Sequence, residues 1–139
     1  MIYKLLILFC TIFFSLANTT QKDETNWPAH GLTDAETRHS NLDQINRGNV
    51  KNLGLSWFFE TGSKRGLEAT PIVSDQTIYF TGTWSKVFAN NAKTGEAIWE
   101  YDPQVPRYEG ANACCDVVNR GVAISGDSLF FGTIDGRLI

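Results

Sequence analysis

Residues 78–88 and 129–139 are two copies of one pattern. Written one above the other, Ile78-Tyr79-Phe80 falls on Leu129-Phe130-Phe131, Val87-Phe88 on Leu138-Ile139, and Lys86 on Arg137. The offset is 51 residues throughout, close to the length of one four-stranded propeller blade. The segments around the first copy read as short strands. Residues 55–60, 68–73, 77–81, 86–89 and 97–101 are rich in β-branched and aromatic residues, and turn formers such as Ser74-Asp75-Gln76 and Gly82-Thr83 separate them. Short strands at this spacing indicate an all-β sandwich, barrel or propeller, and the repeat selects the propeller. The second copy stops before its last strand, so the expectation is about one complete blade plus part of the next. An isolated blade leaves its sheet edges open and buries little core. A fragment of a much longer protein is therefore expected, with a self-contained two-sheet domain as the alternative.

The N-terminus does not read as fold material. Lys4 precedes an apolar run over residues 5–16, and Ser15-Leu16-Ala17 places small residues where a signal peptidase cuts. Residues 1–17 thus read as a secretory signal peptide, too short to span the ~30 Å of bilayer hydrocarbon. Export leads to an oxidising compartment where disulfides persist. Residues 18–54 read as a polar, irregular N-terminal arm and residues 55–139 as an incomplete propeller domain. Within the arm, Thr33-Asp34-Ala35-Glu36 is compatible with a capped helical turn. His30 and His39 lack metal-pair spacing and thiol or acidic companions, and read as surface or packing residues. A formal net charge of -3 without charge runs argues against nucleic acid or a membrane surface as partner.

Cys114 and Cys115 are adjacent, within Ala113-Cys114-Cys115-Asp116-Val117-Val118-Asn119-Arg120-Gly121. A disulfide between sequence neighbours closes almost no loop, so it cannot act as ordinary disulfides do, by constraining the unfolded chain. It would instead present a rigid, flat pair of sulfurs. The residues alone leave that reading open beside two free thiols packed in a core. A thiol redox protein is a third possibility. It needs a low-pKa thiol, and Asp116 beside Cys115 disfavours the thiolate. The doublet lies in the connection 103–121 between the two copies. In a propeller such connections gather at one face, around the central channel.

Residues 89–99, Ala89-Asn90-Asn91-Ala92-Lys93-Thr94-Gly95-Glu96-Ala97-Ile98-Trp99, resemble the tryptophan-docking repeat A-x-[DN]-x-x-T-G-x-x-x-W. Asn91 with Thr94-Gly95 forms the turn before the outer strand, and Trp99 offers a flat face to pack between blades. Non-enzymatic scaffolds also carry this repeat. In combination with Gly66-Leu67-Glu68-Ala69-Thr70-Pro71, Gly82-Thr83-Trp84-Ser85, Tyr101-Asp102-Pro103-Gln104-Val105-Pro106-Arg107 and the cysteine segment, it makes the chain similar to the N-terminal part of the pyrroloquinoline-quinone (PQQ)-dependent alcohol dehydrogenases. The likeness covers roughly residues 26–139.

That resemblance implies an eight-bladed propeller in a periplasmic enzyme. Such an enzyme oxidises primary alcohols such as ethanol to aldehydes by hydride transfer to PQQ, and electrons pass to a cytochrome c. It implies that Cys114 and Cys115 form a vicinal disulfide stacked on the quinone. It also implies that Glu68 contacts the polar edge of the cofactor, that Arg120 lies near it to pair with carboxylate or oxygen, and that Val118 touches it. The calcium ligands and the catalytic aspartate are expected beyond Ile139, as is the haem c domain of the quinohaemoprotein members. No catalytic residue and no metal ligand is assigned within this chain. Plainer alternatives stand beside each residue. Glu68 could be a solvated charge beside Lys64 and Arg65, Arg120 a surface arginine paired with Asp116, and Trp84 a packing residue.

Overall fold

A computed structural model describes residues 24–139. The signal-peptide reading of residues 1–17 and the first residues of the arm lie outside the described residues. Four antiparallel strands form a meander in sequence order: β1 (Ile72–Ser74), β2 (Thr77–Thr81), β3 (Val87–Asn91) and β4 (Ala97–Tyr101). Two more, β5 (Ala123–Ser125) and β6 (Ser128–Phe130), pair with each other in a second sheet.

The sheets repeat at the offset read from the sequence. Ala123 stands 51 positions after Ile72, and Ser128 stands 51 after Thr77. The Thr81–Val87 pair of the first sheet recurs as the Gly132–Leu138 bridge. Even the turn is copied: Gly82 N–H donates to the Lys86 carbonyl at 2.8 Å, and Thr133 N–H to the Arg137 carbonyl at 2.9 Å. The chain therefore contains one complete blade and the opening strands of the next.

Local chemistry sets the strand boundaries. Asp75 and Gln76, both at positive φ, make the two-residue turn between β1 and β2, the conformation that suits the twist of paired strands. Between β3 and β4, Asn91 Oδ1 accepts from the Lys93 and Thr94 backbone N–H groups, and Gly95 follows at φ 77°. A Cβ at Gly95 would meet the Trp57 ring at 2.6 Å. The docking repeat is thus a turn that needs glycine twice over, for its backbone conformation and for its contact with an indole.

The core is small and concentrated on β3. Val87, Phe88 and Ala89 are buried, with Ile72 of β1 beside them. Phe88 stacks on Phe80 at 5.2 Å, and Phe59 meets both rings edge-on. Ala89 lies between Tyr79 and Trp99 across three strands, and its small side chain lets those two rings approach to 6.1 Å. Val105, Val117 and Phe131 extend the buried set into the connection and the second sheet. β4 is exposed along its whole length. Its Trp99 and Tyr101 form one wall of a groove facing Leu129 and Phe131 of the next unit.

Three expectations are corrected. The strand expected over residues 68–73 is confined to Ile72–Ser74, and residues 68–71 are its lead-in. Residues 55–60 form no strand. They run along the blade instead: Trp57 Nε1 donates to the Ala92 carbonyl at 3.1 Å, and Phe59 packs on Phe80 and Phe88. Leu55 and Phe58 are left exposed. Residues 33–36 form a single turn, closed by Glu36 N–H on the Thr33 carbonyl, and no helix. Glu36 then takes a positive φ, which ends it. The arm docks through Trp27, whose backbone exchanges two 2.8 Å hydrogen bonds with Val73 and so covers the open edge of β1. Among the described residues no helix is long and apolar enough to cross a membrane.

Phe88→Ala removes the ring at the centre of this cluster. We expect a loss of about 3–5 kcal/mol, read as a lower urea midpoint, with Phe88→Leu costing distinctly less.

Candidate functional site

The connection from β4 to β5 leaves the sheet at Asp102 and passes through a 3-10 turn at Arg107–Asn112. It then reaches the cysteine doublet. Cys114 and Cys115 are both exposed in this chain and are not part of its core. Their sulfurs lie 2.7 Å apart. The two side chains are thus in direct contact at the surface. The Cys115 thiol is pushed up from the usual range, first by its hydrogen bond to Cys114 and then by the charge that Cys114 carries when ionised. Arg120 acts to lower it and Glu68 to raise it, so both charges lie close enough to be felt at the sulfur. A raised thiol pKa after a 3-10 turn is the opposite of what a thiol redox protein uses.

The residues flanking the doublet lie against the lead-in to β1. Residues 65–71 enter β1 and residues 116–122 enter β5, and these segments occupy equivalent positions in the repeat. Arg65 Nη1 donates to Asp116 Oδ1, between residues 51 positions apart. Glu68 Oε2 and Arg120 Nη2 form an ion pair at 3.0 Å. Thr70 N–H donates to the Arg120 carbonyl at 3.2 Å. At Gly121, φ 132°, a Cβ would come 3.1 Å from the Thr70 carbonyl oxygen.

The structure thus brings together four of the five residues singled out from the sequence: Glu68, Arg120, Cys114 and Cys115. Val118 is half-buried next to the fully buried Val117. The pairing of Arg120 with Asp116, one of the plainer alternatives, is not the one formed. Arg120 pairs with Glu68, and Asp116 pairs with Arg65. Both pairs are solvent-exposed, and such pairs add little to stability. Their effect is to set direction.

Sequence reasoning noted Arg65 only as a neighbour of Glu68. Extending the 51-residue alignment upstream would have set it opposite Asp116. Trp84 lies beneath this arrangement. It adopts the left-handed conformation (φ 61°, ψ 27°), and its N–H donates to the Val117 carbonyl at 2.8 Å. The Arg107 guanidinium sits 4.2 Å from the Trp84 ring centroid, and that of Arg65 sits 5.9 Å away. A Cβ on Gly110 would meet the indole at 2.9 Å. Two guanidinium groups therefore lie over the Trp84 ring.

In the reduced protein, Cys114→Ala removes the largest cause of the raised Cys115 pKa. The pH midpoint of Cys115 alkylation by iodoacetamide is expected to move down toward the ordinary thiol value; an unchanged midpoint would contradict this account.

Comparison with known proteins places the chain. Residues 27–139 match the family model described as PQQ, glucose/ethanol/alcohol dehydrogenase, beta-propeller domain. The chain is 49% identical over 135 residues to the 1-butanol dehydrogenase (cytochrome c) of Thauera butanivorans, covering 97% of this chain and 19% of that protein. It is 53% identical over 114 residues to the quinohemoprotein alcohol dehydrogenase of Comamonas testosteroni, covering 82% and 16%. The crystal structure of the Comamonas enzyme superposes with a TM-score of 0.79 over 82% of this chain and 17% of that one. A europium-containing methanol dehydrogenase superposes with 0.78 at 39% identity, covering 85% and 21%. The chain spans about a fifth or less of the length of these relatives. With one family model matching 27–139 and a blade that superposes on solved members, the chain belongs to the PQQ-dependent glucose/ethanol/alcohol dehydrogenase β-propeller family.

Proposed function

We propose that this chain is the N-terminal part of a periplasmic, PQQ-dependent alcohol dehydrogenase, and that its inter-blade connection supplies one wall of the cofactor site. The observation that carries this reading is the exposed sulfur pair beside the Glu68–Arg120 ion pair at the start of two neighbouring blades. The residues present fit the group. PQQ is flat and polyanionic. The doublet offers two polarizable sulfurs at the surface. Arg120 spends Nη2 on Glu68, yet its side chain remains 73% exposed, which leaves donors for a carboxylate or quinone oxygen.

When bound, the quinone supplies the two-electron acceptor that turns a primary alcohol into an aldehyde, and a cytochrome then takes the electrons. This chain's own residues bind and orient. Cys114 and Cys115 form the floor of the ring site. Arg120 anchors its anionic edge, Glu68 fixes Arg120 and bounds the polar side, and Val118 contributes apolar contact. In an oxidising compartment the two thiols give up two protons and two electrons to a disulfide oxidant and become a vicinal disulfide. That removes nucleophiles that would otherwise add to a quinone carbonyl.

Cofactor metal, catalytic base and substrate pocket belong to later parts of such an enzyme. Calcium is the expected metal, and the related methanol dehydrogenase is described as containing europium. The names of the relatives favour a short primary alcohol and a cytochrome c acceptor, and a haem c domain further along the polypeptide in the quinohaemoprotein manner.

The test is expression of the full-length protein with PQQ and calcium. Ethanol- or butanol-dependent reduction of cytochrome c is expected, and residues 1–139 alone should give none. The Cys114→Ser/Cys115→Ser double variant should lose activity by at least about tenfold. Full activity in that variant, or no alcohol-dependent turnover by the full-length protein, would overturn the reading.

A further inference from the structure

Asp116 follows the sulfur pair directly and adopts φ 70°, a left-handed conformation that non-glycine residues take rarely and aspartate better than most. The direction in which the chain leaves Cys115 is set at this residue. Three contacts hold that turn. The Cys114–Asp116 bridge closes it, the Val117 carbonyl is held by Trp84 N–H at 2.8 Å, and the Asp116 carboxylate is taken by Arg65. Arg65 is itself restrained, because its guanidinium lies over the Trp84 ring that Arg107 covers from closer in. Arg65 thus has a second contact besides Asp116, which favours one side-chain direction.

The charge order adds selectivity. Arg65 and Glu68 on one lead-in face Asp116 and Arg120 on the other, in the sense plus-minus against minus-plus. Shifting the segments would set Arg65 against Arg120, or Glu68 against Asp116, as like charges. With Asp116 occupied by Arg65, Arg120 is left to Glu68 and to whatever anion lies beyond it.

We propose that Arg65 is a positioning residue for the cofactor wall: through Asp116 it fixes the orientation of the Cys114–Cys115 pair and keeps Asp116 from competing for Arg120. The inference deepens the proposed function and rests on it. Arg65 touches no cofactor in this account and acts through Asp116.

The test uses the full-length protein and the variants Arg65→Ala, Arg65→Lys, Asp116→Asn and Arg65→Ala/Asp116→Asn. Asparagine tolerates the left-handed backbone and lacks the charge, so it isolates the ion pair from the turn. The first readout is taken on cofactor-free protein equilibrated with glutathione and glutathione disulfide. There the Cys114 and Cys115 thiols become one disulfide as glutathione disulfide is reduced to two glutathiones. Arg65→Ala and Asp116→Asn should each shift that equilibrium toward the thiols by about threefold to tenfold, the double variant should go no further, and Arg65→Lys should hold most of the wild-type value. The second readout is PQQ affinity by titration, with about tenfold weakening expected in the same variants and thermal unfolding essentially unchanged. A wild-type thiol–disulfide equilibrium in both single variants, or additive effects in the double, would overturn the positioning role. If the wild-type protein fails to bind PQQ, the functional reading falls, and the cofactor-free measurement alone decides the role of Arg65.

Discussion

The candidate site depends on one close approach. At Gly121 the lead-in to β5 comes so near the Thr70 carbonyl that a Cβ would stand 3.1 Å from it, and the backbone there has φ 132°. Only glycine meets both conditions at no cost. The approach lets Thr70 N–H reach the Arg120 carbonyl. From that contact the rest follows: Glu68 comes within 3.0 Å of Arg120, Arg65 meets Asp116, and the sulfur pair is turned outward beside both. A repeat protein builds a site between its units in this way. Equivalent segments of successive blades run side by side, and differences between the copies provide the chemistry.

The electrostatics are those of an exposed rim. Glu68 and Arg120 are 41% and 73% exposed, and isolated pairs of this kind contribute little to folding. Burial is supplied elsewhere, by Phe88, Val87 and Ile72 within the first blade and by Val117 beneath the doublet. Stability and site geometry are therefore separable here. The apolar cluster holds the sheet, while the charge pairs lie on the exposed loop above it. Two further polar contacts tie the second unit to what precedes it: Ser85 Oγ accepts from Ile134 N–H at 3.3 Å, and Arg137 Nη2 donates to the Pro103 carbonyl of the connection at 2.8 Å. Asp135 holds Arg137 in place, and that pairing keeps the Asp135 carboxyl below the usual carboxylate range.

Membership of the PQQ dehydrogenase family gives this rim its context. The relatives are several times longer than the chain, and the exposed faces of β4 and of residues 55–59 are those of a blade with open sides. In the proposed function this wall would face a flat anionic ring from one side. It brings no cluster of His, Cys, Asp and Glu able to hold a metal among the described residues.

Much of this was legible in the residues themselves. β-branched and aromatic runs bounded by Gly, Asn and Asp specify strands and turns locally, and β2 and β4 fall at the residues expected, 77–81 and 97–101. The 51-residue offset specified the repeat because each blade must bury the same positions. Lateral relations were not legible. Residues 55–60 have a strand's composition and make no strand; Trp57 and Phe59 pack against the blade instead. Whether Arg120 takes Asp116 or Glu68 could not be read from spacing, because both choices are chemically equal and only the placement of one lead-in against the other separates them. The exposure of Cys114 and Cys115 was decided in the same way, by Val117 turning inward beneath them. Sequence determined the blade and its period through local preference and patterned burial. Tertiary structure decided which charges met and which way the sulfurs faced, because those depend on contacts between segments far apart in the chain.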